Sequence, residues 1–177
     1  MGSPLSNTPA WASGVCAGLD AAGARHVVFV PDNPTSHVLR HLADRYPQIR
    51  LTTATREEEA FGIAAGLYLG GARPAVMLQS SGLGNSLNAL TSLLIPYEIP
   101  AVILVSMRGE QDEWNPAQMP MGRAVRTILD SIGIAHTTLE SAGAAAHTLE
   151  RVSRDAFDRH RPAACLLPKR VTAVMSA

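Results

Sequence analysis

Short, solidly apolar runs alternate with longer stretches whose apolar positions recur every third or fourth residue, from one end of the chain to the other. His26-Val27-Val28-Phe29-Val30, halted by Pro31, is the first such run and predicts a buried strand. Residues 49–53, 74–78, 101–105, 135–138 and 163–167 predict five more strands, with 101–105 the most hydrophobic. Between them the period lengthens to that of a helix. Thr8-Pro9 reads as a capping hydroxyl with proline at the first helical position, ahead of Trp11, Val15 and Leu19, and Gly23 closes that helix. Asn33 is expected to cap a helix with Val38, Leu39 and Leu42 inside, ending near Tyr46-Pro47. Further helices are expected over 56–69, 83–95, around 125–132 and over 142–159, with 108–118 the longest loop and the tail after Lys169 loose.

Apolar strands separated by helices imply a three-layer α/β/α arrangement around a six-stranded, mostly parallel sheet covered on both faces. No composition break or internal repeat divides the chain, so residues 1–177 are expected to form a single domain with an ordered core over about 8–170. In such sheets ligands bind beyond the carboxyl ends of the strands. The stretches to read for chemistry are therefore 31–33, 54–59, 79–88 and 106–118.

Composition narrows the function mainly by exclusion. Fifteen basic residues balance fifteen acidic ones, which removes the electrostatic case for a nucleic acid or an anionic membrane surface. No apolar run is long enough to span a bilayer, and residues 1–7 lack the basic region and apolar stretch of a signal peptide. Cys16 and Cys165 give no disulfide framework and read as buried thiols, and a cytoplasmic location is expected.

Common catalytic signatures are missing. The chain has no phosphate-loop lysine signature and no G-x-S-x-G elbow. Gly82-Leu83-Gly84 is an incomplete dinucleotide fingerprint, with Leu87 at the place of the third glycine. His37 and His41 lie one helical turn apart, but no carboxylate or cysteine at ligand spacing joins them, so no metal site is expected in this chain.

The informative stretch is Arg56-Glu57-Glu58-Glu59-Ala60-Phe61-Gly62-Ile63-Ala64-Ala65-Gly66. Acids in a first helical turn are favoured by the macrodipole, which accounts for Glu58 and Glu59. Gly62 and Gly66 lower helix propensity, and their use here points to close approach by another helix or a ligand.

Glu57 followed by Ala60, Ala64 and Gly66 resembles the E-x-x-A-x-x-x-A-x-G segment of the pyrimidine-binding domain of thiamine-diphosphate enzymes. Gln79-Ser80-Ser81-Gly82-Leu83-Gly84-Asn85-Ser86-Leu87-Asn88 resembles that family's Ser-Gly-x-Gly-x-x-Asn loop at the third strand. Together with residues 95–100 and 106–110, these segments are similar to the alpha subunits of sulfopyruvate decarboxylases and the matching half of phosphonopyruvate decarboxylases. The resemblance covers about residues 10–170.

It implies the thiamine-diphosphate-binding fold, pyrimidine domain, with Glu57 hydrogen-bonding the ring nitrogen of the aminopyrimidine. Gln79, Ser81, Gly82 and Asn85 would approach the cofactor. Asp32 and Asn33, in a Val-Pro-Asp stretch similar to the family's substrate-side loop, would meet the substrate or simply cap the next helix. Arg108 would pair with a second anionic group on the substrate, and Gln118 would close the site from the far end of its loop. The Gly-Asp-Gly segment with which the family holds magnesium and the diphosphate is absent. A beta subunit carrying the diphosphate-binding domain is therefore implied, with Mg2+ bound through it and at least a dimer of this chain. The implied reaction turns sulfopyruvate into sulfoacetaldehyde and carbon dioxide, or decarboxylates phosphonopyruvate, and the chain is inactive alone. A carboligase subunit on the same cofactor and a noncatalytic α/β binding module are the competing readings.

Overall fold

The computed structural model describes residues 8–111 and 113–173. The segment read for a signal peptide lies outside them. Six strands, β1 (His26–Phe29), β2 (Arg50–Thr53), β3 (Pro74–Gln79), β4 (Val102–Ser106), β5 (Ala135–Thr138) and β6 (Ala163–Leu167), form one sheet in the order β2-β1-β3-β4-β6-β5. Every pairing is parallel, where the sequence predicted a mostly parallel sheet. The reason is visible in β3, β4 and β6: their buried apolar side chains point to both faces, as the middle layer of a sandwich requires.

One face is covered by α1 (Ala10–Ala21), α2 (Thr35–Arg45) and α7 (Ala145–Asp158), packed on Val27, Met77, Leu104 and Cys165. The other carries α3 (Glu57–Leu69), α4 (Ser80–Asn85), the short turn α5 (Leu87–Ala89), a π-helix (Leu90–Leu94) and α6 (Met119–Ser131), packed on Val28, Leu78, Ile103 and Leu166. Contact between α1 and α7 is unusually close: a Cβ on Gly18 would stand 2.5 Å from the Ala146 carbonyl oxygen. Cys16 and Cys165 are fully buried, and burial pushes both thiols up to about 12.

Several boundaries differ from the sequence reading. Pro9 occupies the cap position of α1 and no side chain caps it, so Thr8 plays no part there. Asn33 does not cap α2; Pro34 takes that place, and the hydroxyls of Thr35 and Ser36 donate to the carbonyls of Asp32 and Asn33. The predicted helix over 83–95 begins earlier, at Ser80, and breaks at Ser86, whose hydroxyl donates to the Gly82 carbonyl at 2.7 Å. The helix placed around 125–132 starts at Met119, preceded by a 3-10 turn at Pro116–Gln118. After Lys169 the chain forms α8 (Lys169–Thr172) with Thr172 buried, so that stretch of the tail is docked.

The strand order places β1 and β3 side by side while their following connections run to opposite faces, β1 into α2 and β3 into α4. This is the switch point at which open α/β sheets bind ligands.

Candidate active site

Helix α3 opens with three glutamates whose side chains go different ways. Glu59 reaches back so that one oxygen accepts the backbone N–H of Thr55 at 2.7 Å and its hydroxyl at 2.5 Å. Those two bonds, hydroxyl first, hold the Glu59 carboxyl below the usual range. Glu58 pairs with Arg56 at 2.7 Å. Glu57 is tied to no neighbour among the described residues. Its half-buried side chain lies across α4, and a Cβ on Gly82 would stand 2.4 Å from Glu57 Cγ and 2.6 Å from Oε1. The two segments singled out in the sequence thus touch, and they do so only because position 82 has no side chain.

Directly after β3 the chain turns into helix, so the stretch read as a loop at the third strand is helical over Ser80–Asn85. Ser80 starts that helix and is buried; its hydroxyl donates to the Ser106 carbonyl at 3.3 Å and accepts the Arg108 N–H at 3.0 Å. Gly82 is buried, whereas Ser81 and Asn85 are exposed on the outer side of α4. Gln79 is half-buried at the end of β3, and its Oε1 has no hydrogen-bond partner.

Ser80 leads to a second group of residues. Arg108 follows β4, and its Nη2 donates to Asp32 Oδ1 at 2.5 Å. Arg108, read as an anion-binding group, is therefore already paired with another residue of the predicted site. Glycines set its position. Gly109 adopts a φ of +69°, and a Cβ on Gly122 of α6 would fall 1.9 Å from the Arg108 carbonyl oxygen, so only glycine lets α6 press on this turn. Glu110 fastens the same segment at two points, pairing with Arg126 at 2.9 Å and accepting the Lys169 N–H at 3.2 Å.

Arg108, Asn33 and Gln118 line one cavity of about 400 Å³ at the carboxyl ends of β1, β4 and β6, together with His37, Glu113 and Lys169. The Glu113 carboxyl is held below the usual range, foremost by the Asn115 N–H at 3.1 Å, against desolvation by burial and with further help from the Gly109 N–H, Lys169 and Arg108. The sequence reading missed Ser80, His37, Glu113 and Lys169. Lys169 carried a signal: it is the chain's single lysine and follows the last strand at its carboxyl end, where such sheets bind ligands. Among the described residues no group of three or more His, Cys, Asp or Glu side chains is arranged to hold a metal ion. Gly62 and Gly66 are exposed with nothing of the chain near them, so the close approach read from these glycines is not met inside the chain.

A parallel α/β/α sandwich with a carboxylate poised over a glycine at its carboxyl edge defines a cofactor-binding domain, and comparison with known proteins says which. Residues 11–119 match the thiamine pyrophosphate enzyme N-terminal TPP binding domain, and the chain belongs to this family. It is similar to the sulfopyruvate decarboxylase subunit alpha of Methanothermobacter thermautotrophicus, 39% identical over 86% of this chain and 92% of that one. The sulfopyruvate decarboxylase of Methanosarcina acetivorans is 38% identical over 80% of this chain, but the match spans only 36% of its own length. The phosphonopyruvate decarboxylase of Streptomyces viridochromogenes is 36% identical over 92% of this chain and 41% of its own. Among solved structures, a 2-oxoglutarate:ferredoxin oxidoreductase from Magnetococcus marinus superposes with a TM-score of 0.75 over 89% of this chain and 28% of that chain. At 16% identity that likeness bears on the fold alone.

Proposed function

We propose that the chain is the alpha subunit of a two-chain thiamine-diphosphate-dependent decarboxylase. Its substrate is a 2-oxoacid with a second anionic group, sulfopyruvate or phosphonopyruvate. The observation that carries the reading is Glu57: an untethered carboxylate at the carboxyl edge of the sheet, lying over a glycine that leaves no room for anything but its side chain. The likeness to a relative named as an alpha subunit, 39% identical over 92% of that chain, supports the reading.

The residues present suit one half of the cofactor. Glu57, lying over Gly82 of α4, offers an acceptor to the aminopyrimidine, with the unpartnered Gln79 Oε1 close by in sequence. The diphosphate and its Mg2+ are assigned to a beta subunit carrying the Gly-Asp-Gly segment that this sequence lacks. When bound, thiamine diphosphate supplies the electron sink that lets a 2-oxoacid lose carbon dioxide. Glu57 then holds or releases a proton at the pyrimidine ring nitrogen. Gly82 fixes where that carboxylate lies. Ser81 and Asn85 belong to the same helix and are placed at its rim. On the substrate side stand Asp32, Asn33, Arg108 and Gln118. Self-association of this chain into at least a dimer, a cytoplasmic location and inactivity without the partner are parts of the same reading.

The test is reconstitution. This chain, a beta chain with the Gly-Asp-Gly segment, thiamine diphosphate and magnesium are mixed, and carbon dioxide release from each oxoacid is measured, with each chain alone as control. Activity confined to the mixture is expected. Glu57→Gln should lower turnover by at least about 100-fold while the subunits still co-elute. A Glu57→Gln complex retaining most of its activity removes the glutamate from this role. An assembled, cofactor-loaded mixture that releases no carbon dioxide rejects the decarboxylase and points to a carboligase.

A further inference from the structure

Among the described residues the cavity beside Arg108 is lined by two cations and one carboxylate, with a second carboxylate directly behind it. Arg108 and Lys169 line it together with Glu113, and Asp32 backs it through its bond to Arg108. His37, from α2, is the remaining titratable group on its wall.

Asp32 is the unusual member. Its side chain is only 7% exposed. One carboxylate oxygen accepts from Arg108 Nη2, while the other, Oδ2, is buried without a hydrogen-bond partner. Arginine and carboxylate bind most strongly side by side, two nitrogens to two oxygens. A one-point contact forgoes that strength and leaves guanidinium donors of Arg108 for the cavity it lines. A buried acceptor left unmatched costs stability, so the arrangement is not explained by folding alone.

The charge of the substrate supplies an explanation. A sulfonate carries one negative charge at every pH at which the protein is folded. A phosphonate, like a phosphate monoester, takes on a second near neutrality. The carboxylate of Asp32 behind Arg108 and that of Glu113 on the same wall already offset the two cations. A single added negative charge finds the donors of Arg108, whereas a second one meets two carboxylates held in place, Asp32 by Arg108 and Glu113 by the Asn115 and Gly109 N–H groups.

We propose that Asp32 is a specificity-determining residue that holds Arg108 through one contact and tunes the cavity to a monoanionic sulfonate against a dianionic phosphonate. The proposal rests on the decarboxylase reading and selects between its two substrates.

Binding is measured by calorimetry on the assembled two-chain complex at pH 8, with 3-sulfopropionate and 3-phosphonopropionate as probes. Neither has the keto group, so neither turns over. The wild-type complex should bind the sulfonate at least about tenfold more tightly, since a like charge roughly 8 Å away at an effective dielectric near 20 is worth on the order of thirtyfold. Asp32→Asn keeps an acceptor for Arg108 and removes the charge. It should narrow that gap about tenfold and shift the ratio of the two substrates' KM values equally, with the ratio of their kcat values unchanged. Equal affinities in wild type, or a gap untouched in an Asp32→Asn complex that melts normally, would overturn the proposal. If Asp32→Asn fails to assemble, Asp32→Ser, which also removes the charge and keeps an acceptor, is judged by the same narrowing of the gap. Selective sulfonate binding by a complex that releases carbon dioxide from neither oxoacid would instead reject the decarboxylase reading and leave the selectivity standing.

Discussion

Replacing Gly82 by alanine puts one methyl group where the Glu57 side chain now lies. The new Cβ would stand 2.4 Å from Glu57 Cγ, 2.6 Å from Oε1 and 2.7 Å from Cδ, while ordinary contacts begin at 3.4 Å. Glu57 must therefore move by about 1 Å, and as the end of a flexible side chain it can do so by leaving its rotamer, at about 0.5–1.5 kcal/mol. The helix gains about 1 kcal/mol from alanine over glycine. These two terms nearly cancel, so the melting temperature of the chain should stay within about 4 °C of wild type. Catalysis has no such compensation. A displacement of about 1 Å at a reacting group costs on the order of 100-fold in rate, equivalent to about 2.7 kcal/mol of transition-state stabilisation. The assay is kcat/KM of the reconstituted complex beside a thermal melt of the same preparation. A Gly82→Ala complex that melts like wild type and turns over at the wild-type rate would refute both the role of Glu57 and the reason for glycine at 82.

Other perturbations test other parts of the structure. Glu59 is held below the usual carboxylate range by Thr55, so its contribution to stability is present above the unfolded-state pKa and lost as pH falls through the lower folded value. Wild type should accordingly melt above Glu59→Gln at neutral pH, with the difference closing on acidification; a difference that ignores pH would contradict the bonding described. Both thiols, raised to about 12 and buried, should resist a thiol reagent at pH 8 until the chain unfolds, and labelling in native buffer within minutes would show that the core opens. Gly18→Ala forces a Cβ to 2.5 Å from the Ala146 carbonyl oxygen and should cost about 1–3 kcal/mol in urea unfolding. Gly62→Ala, with nothing within 4 Å, should stabilise the isolated chain by up to about 1 kcal/mol in the same measurement.

How far the sequence could be read depends on the range of the interactions involved. The inner strands β3, β4 and β6 were legible because burial on both faces leaves little choice but apolar residues, while the edge strands β2 (Arg50–Thr53) and β5 (Ala135–Thr138) are partly exposed and more polar. Glu57 was legible because its segment resembles that of a known family. The start of α4 was not. Ser80, Ser81 and Gly82 are poor helix formers, and what holds them helical is tertiary: the hydroxyl of Ser80 bonded to two points after β4, and Gly82 under Glu57. The pair Asp32–Arg108 joins residues 76 apart in sequence, so each was singled out but their connection was not. The role of Gly109 and Gly122 was invisible for the same reason, since each is needed by the backbone of the other's segment.

The order of strands has a consequence for how the chain is made. Strand β6 is the last to leave the ribosome, yet it sits inside the sheet between β4 and β5. Until it arrives, β5 has nothing to pair with, and β4 is an open edge whose side chains Val102, Ile103, Leu104 and Val105 all end up buried. A nascent chain stopped before residue 163 therefore displays an apolar strand edge, the kind of surface on which chains associate wrongly. Arg108 and Glu110 follow that same edge, and Glu110 finds its Lys169 partner only after β6 is in place. The cavity beside Arg108, which Lys169 lines, is thus closed only after β6 has taken its place. Synthesis and assembly are ordered so that a chain lacking its final strand cannot offer a finished cavity.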